Sequence, residues 1–159
     1  MHMKNVDEHY LRIAFKEAVR ARERGNHAFG ALLVDEDGEP VLAAQNSVVT
    51  DSDVTAHAEL NLIRAASRKF DTDRLKTFTL YASGEPCPMC AGAIVWANIR
   101  RVVFGLGMDA IYRLFDADPE APSLPMHAAG VFSQAPWPVE VIGPLLAEEA
   151  EAVFRNEAT

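Results

Sequence analysis

Three short stretches hold the side chains best suited to chemistry: His57-Ala-Glu59, Pro86-Cys-Pro-Met-Cys90 some thirty residues later, and Asn46 ahead of both. Imidazole and thiolate are the soft donors that zinc favours in a tetrahedral shell. A structural zinc site normally closes that shell with four protein groups, whereas three donors leave one position for water, which marks catalytic zinc. His57, Cys87 and Cys90 are therefore the candidate ligands of a Zn2+ ion, the one cofactor the sequence implies. Glu59 stands two residues beyond His57. At that spacing the two side chains leave a helix on different sides, so Glu59 is placed to reach a water at the metal rather than the metal itself. A carboxylate there can take the water's proton and return protons to a ring nitrogen and a leaving amine. The chemistry on offer is hydrolysis at an amidine-like carbon.

The elements that must position these groups can be traced along the chain. Asn5 followed by Glu8 has the pattern of a capping box, and Val6, Tyr10, Ile13, Phe15 and Ala18 form the apolar stripe of a first helix ended by Gly25. Phe29–Val34, the turn Asp35-Glu-Asp-Gly38 and Val41–Ala44 give a β-hairpin signal. Thr55 is a candidate cap for a second helix over 56–69, with Leu60, Ile63 and Ala66 inward and His57 in its first turn. Thr77–Ala82 reads as a buried strand, and Gly84-Glu85-Pro86 as a turn in which Glu85 is structural. Pro88 suits the first turn of a third helix through Asn98, so Cys87 and Cys90 flank its start. The partial positive charge there stabilises thiolates. Arg101–Phe104 reads as a strand. A loop-rich stretch over 105–137 follows, with a short helix over 109–115, then a strand over 139–142 and a helix over 144–154. No repeat or linker divides the sequence, so 1–159 is expected to be one domain. The order of elements predicts an α/β fold, a three-layer α/β/α sandwich over one mixed five-stranded sheet.

Composition narrows the partners. The 23 acidic residues against 15 basic ones give a net charge of −8, which disfavours a nucleic-acid partner and suits a small uncharged substrate. The N-terminus has no apolar signal core and no apolar run reaches membrane length, so the expected location is cytoplasmic, with no membrane partner. In that compartment a Cys-x-x-Cys pair serves a metal or redox chemistry rather than a structural disulfide. The pair alone is open between those two; His57-x-Glu59 turns it toward the metal. His2, His9, His27 and His127 read as surface or packing residues, and Met89 and Trp96 as core. The apolar face of Ile94, Val95 and Trp96 suggests a homodimer.

An H-x-E motif followed by P-C-x-x-C is the known mark of zinc nucleobase deaminases. Through Thr55-Ala-His-Ala-Glu59 and Glu85-Pro-Cys-Pro-Met-Cys-Ala-Gly-Ala93 the chain resembles the cytidine deaminase-like superfamily. The resemblance covers most of the length and weakens after Gly105. It implies a zinc-dependent hydrolytic deaminase that acts on an amino-heterocycle, with Glu59 as the proton shuttle and Asn46, Phe29 and Ala58 in contact with the ring. Two branches are similar. Phe29-Gly30-Ala31 and the Phe115-Asp116-Ala117-Asp118 element look like the guanine and guanosine deaminases, while Arg101–Gly105 looks equally like the tRNA adenosine deaminases. The tRNA branch ends in a basic helix, whereas this chain ends with Glu148, Glu149, Glu151 and Glu157 against Arg155. A free nucleobase or nucleoside, with guanine converted to xanthine and ammonia as the favoured case, is thus the expected substrate, and adenosine in tRNA is the alternative. Asp116 and Asp118 are the acids expected to read the N–H edge of the purine.

Overall fold

A computed structural model describes residues 3–115 and 119–156. Asp116 and Asp118, expected to select the purine, lie outside the described residues. Strands β1 (Gly30–Val34), β2 (Pro40–Gln45), β3 (Thr79–Gly84), β4 (Arg101–Leu106) and β5 (Glu140–Ile142) form one sheet in the order β2-β1-β3-β4-β5. The β1 strand runs antiparallel to β2 and β3, and β3, β4 and β5 are mutually parallel, so the sheet is mixed as expected. Side chains alternate across a strand. Ala31 and Leu33 of β1, with Leu80 and Ala82 of β3, face one core, while Leu32, Val34 and Tyr81 face the other. A strand apolar on both faces must be covered on both.

Helices supply the cover. On one side lie α2 (Ala58–Lys69), α4 (Pro88–Trp96) and α6 (Ala128–Phe132), with the short α3 (Thr72–Leu75) between α2 and β3. On the other lie α1 (Met3–Glu23), α5 (Met108–Leu114) and α7 (Ala147–Arg155), and the three-layer sandwich is complete. Small residues let α1 approach the sheet closely. A Cβ built on Gly30 would stand 2.4 Å from the backbone nitrogen of Ala18, so only glycine fits there. Among the described residues no helix is long and apolar enough to cross a membrane.

The structure corrects several local expectations. Helix α1 already runs from Met3, so Asn5 lies within its first turn rather than capping it. Its buried row is Leu11, Ala14, Phe15 and Ala18, while Val6, Tyr10 and Ile13 are only half buried. Two acids join that row because each has partners. Asp7 accepts from the Tyr81 hydroxyl and takes both arms of the Arg101 guanidinium, and Glu17 accepts from Gln45 and Arg20. Thr55 does not cap α2. Its N–H and hydroxyl both bond the Asp53 carboxylate, and the cap position falls to His57. Helix α4 ends at Trp96, two residues early, because Asn98 adopts a left-handed φ of 66°. Helix α7 starts only at Ala147, because the Leu145 N–H is drawn along β4 to the Phe104 carbonyl. Met89 and Trp96, read as core, stand exposed, Trp96 at 88%. Helix α4 turns Cys90, Ala91 and Ile94 inward instead.

Candidate active site

Two helix starts, those of α2 and α4, meet just past the carboxyl end of β3. Cys87 is the cap residue of α4, Pro88 fills its first position and Cys90 lies one turn in; His57 is the cap residue of α2. The loop that delivers His57 is tied to the end of β2, since the Asn61 amide donates to the Gln45 carbonyl and the Ser47 hydroxyl. The Ser47 N–H in turn bonds the Ala56 carbonyl. His57 Nδ1 stands 3.6 Å from Cys87 Sγ and 3.6 Å from Cys90 Sγ. Zn–N and Zn–S bonds at a tetrahedral angle place nitrogen and sulfur about 3.5 Å apart, so the donors fit zinc in kind and in separation. Among the described residues this is the one group of three or more His, Cys, Asp or Glu side chains placed to hold a metal ion.

The electrostatics suit a cation. The hydrogen bond from Cys90, and next the one from His57, pulls the Cys87 thiol down to about 4, and Cys87 holds the His57 imidazole above its ordinary range. Cys90 is pushed up by its bond to Cys87 and by burial, so the first thiolate belongs to Cys87. Glu59, 5% exposed, leans on Cys90, and burial raises its carboxyl to about 6. A carboxyl near neutrality can both accept and release a proton at working pH.

These groups open on a cavity of about 490 Å³. Phe29, Asn46, His57, Glu59 and Cys87 line it, so most of the residues selected from the sequence meet there. Asn46 is buried; its N–H bonds the Phe29 carbonyl and its Oδ1 accepts from the Val48 N–H at 3.1 Å, which leaves Nδ2 as the donor for a ligand. Ala58 differs from the expectation. Its methyl is buried in the core and does not line the cavity, so what it can offer is a backbone N–H of the first turn of α2. Phe29 is held by aromatic neighbours. Phe115 lies nearly parallel to it, at 24° with centroids 6.3 Å apart, and Phe154 of α7 tilts against it at 5.6 Å.

Several lining residues were not read from the sequence as part of the site. Met108, Ile111, Tyr112 and Phe115 all face the cavity from α5 and its end. Their spacing of three, four and seven residues is a helical stripe, and that periodicity is the signal that could have found them. His27, read as a surface residue, stands at the rim with its ring 5.9 Å from that of Phe115. Glu85 does more than shape its own turn: it lines the cavity and accepts from the Ala128 N–H at 3.4 Å, which joins that turn to α6.

The sequence pattern of the cytidine and deoxycytidylate deaminase zinc-binding region matches residues 4–106. The chain belongs to this deaminase family. It is 41% identical over 142 residues to a probable cytosine deaminase of Schizosaccharomyces pombe, covering 89% of this chain and 85% of that one. It is 38% identical over 109 residues to the guanine deaminase of Bacillus subtilis, covering 62% and 69%. A solved structure from a study of A-to-I editing by tRNA:A34 deaminases at the wobble position of transfer RNA superimposes with a TM-score of 0.72, at 33% identity, over 92% of this chain and 99% of that one. The family region is zinc-binding, in agreement with the His57, Cys87 and Cys90 donor set. Cytosine, guanine and tRNA adenosine deaminases are thus all relatives of this deaminase.

Proposed function

We propose that this deaminase hydrolyses the exocyclic amino group of a free nucleobase, with zinc held by His57, Cys87 and Cys90 and with Glu59 as the proton carrier. The observation that carries the reading is Glu59: a buried carboxyl that burial raises to about 6, beside three soft donors, in the lining of a cavity of about 490 Å³. When bound, zinc supplies the Lewis acidity that brings the pKa of a water toward neutrality. Glu59 takes one proton from the attacking water and passes it to the ring nitrogen next to the reacting carbon; it then takes the second from the hydroxyl now on that carbon and hands it to the amine, which leaves as ammonia while the C=O bond forms. Asn46 Nδ2 donates to a ring acceptor, and Phe29 offers its face to the ring. The apolar walls from α5 exclude bulk water and strengthen each of these polar contacts.

Guanine is the base favoured by the sequence, and the similarity to the Bacillus guanine deaminase supports it; the longer match to the Schizosaccharomyces protein supports cytosine. Both carry an amino group on a carbon next to a ring nitrogen, which is what the Glu59 arrangement requires. The zinc-loaded protein should release ammonia from at least one free base in a panel of guanine, cytosine, adenine, their nucleosides, a pterin and a triazine. Inosine formation in tRNA, with no ammonia from any member of the panel, would sink the free-base reading and leave the tRNA-editing alternative in its place.

We also propose a homodimer through α4. Trp96 and Met89 are exposed beside the half-buried Val95 on one helix, an apolar face a monomer would leave in water. Light scattering should give about twice the chain mass of 17.4 kDa, and Trp96→Lys should halve it. A 17.4 kDa particle for the parent at micromolar concentration removes the proposal.

A further inference from the structure

Residues 119–127 form a strap without regular structure, and its Ala121, Pro122 and Ser123 line the same cavity as Glu59. Pro119, Pro122 and Pro125 stiffen it, but each also lacks an N–H, so the strap can make few bonds of its own. It is tied instead by side chains of the site. The Tyr112 hydroxyl accepts from the Leu124 N–H at 3.0 Å. Further along, His127 stands between two carboxylates, with Nδ1 3.1 Å from Glu85 Oε2 and Nε2 3.3 Å from Asp109 Oδ1. Tyr112 and Asp109 belong to α5 and Glu85 to the turn before Cys87, so the strap is fastened to the elements that build the site.

We propose that Tyr112 and His127 are positioning residues that hold the strap at the cavity wall, so that the cavity takes a free base and turns away the same base carried in a polynucleotide. This rests on the free-base reading above. A base presented by a strand brings sugar and phosphate to both sides of the pocket, and the protein must then offer an open, cationic path for them. Here the strap forms part of the cavity wall, and it is fastened to the carboxylates of Glu85 and Asp109, which repel phosphate. Because Tyr112 contributes one hydrogen bond and His127 the contacts to Glu85 and Asp109, loss of either anchor loosens the strap without removing any group that handles protons.

The test compares the zinc-loaded parent with Tyr112→Phe and His127→Ala, on free guanine and cytosine and on the same bases in a single-stranded oligonucleotide. Each variant should raise KM for the free base by about 3–10-fold, with kcat within about twofold and zinc content unchanged, as expected for loss of a strap anchor outside the chemistry. The preference for free base over oligonucleotide should narrow by a similar factor. Amide hydrogens of 120–126 should exchange several-fold faster in Tyr112→Phe than in the parent. Unchanged KM in both variants, or unchanged exchange in that segment, overturns the role of the anchors. A parent that turns over the oligonucleotide base as fast as the free base overturns the exclusion. A parent inactive on every free base defeats the free-base reading, and the exchange rates then still decide whether the strap is held as proposed.

Discussion

Glu59→Gln should lower kcat on the correct substrate by about 10²–10⁴-fold, toward the upper end, because one carboxyl serves several proton transfers in the proposed cycle. The amide keeps the size and the hydrogen-bonding capacity of the side chain but cannot exchange protons. Zinc content should therefore stay near one per chain. Stability should move the other way. Burial raises the Glu59 carboxyl from its ordinary 4.5 to about 6, so folding disfavours its ionised form. That cost develops as pH rises from about 4.5, is fully present above about 6, and is absent below the unfolded value. At pH 7.5 the Gln variant should melt no lower than the parent, and any advantage should shrink as pH falls toward 4.5. Turnover close to the parent's in Glu59→Gln would refute the proton-carrier role.

Cys90→Ala should release the metal. Three protein donors hold the proposed ion, and Cys90 is the one wholly enclosed by the core, so no outside ligand can take its place. Removal of a mere supporting partner of a metal ligand typically costs about 10–100-fold in affinity, and removal of the ligand itself should exceed that. Cys87→Ala should be as damaging for a second reason: its thiol, drawn down to about 4, is the group already ionised at neutral pH. Chelator competition and metal analysis read both effects, with zinc near one per chain in the parent and far below it in either variant. Retention of full zinc by both variants would place the ion elsewhere.

Much of this architecture was legible because the signals were local. Pro88 at the first position of α4, the hairpin signal of Phe29–Val34 and Val41–Ala44, and the spacing of His57, Glu59, Cys87 and Cys90 each depend on a few neighbours in the chain. Thr55 misled because a hydroxyl that can cap a helix can equally bond the Asp53 carboxylate, and only the fold of that loop chooses between them. Trp96 misled for a related reason. An apolar residue on an apolar helix reads as core, yet α4 has one inward side, and Trp96 falls on the other.

The sequence by itself determined the donor set, the acid two residues from His57, and the order of elements that carries them, since residue type and short-range spacing suffice for all three. Tertiary structure alone decided the rest of the site. It placed Phe154 of the last helix against Phe29, raised Glu59 toward neutrality by enclosing it, and brought the strap after α5 to the cavity wall through the contacts of Leu124 with Tyr112 and of His127 with Glu85. Those contacts join residues from 12 to 125 positions apart, and no local pattern records which distant side chain will arrive. A shifted proton affinity, likewise, belongs to the burial of a group and not to its type.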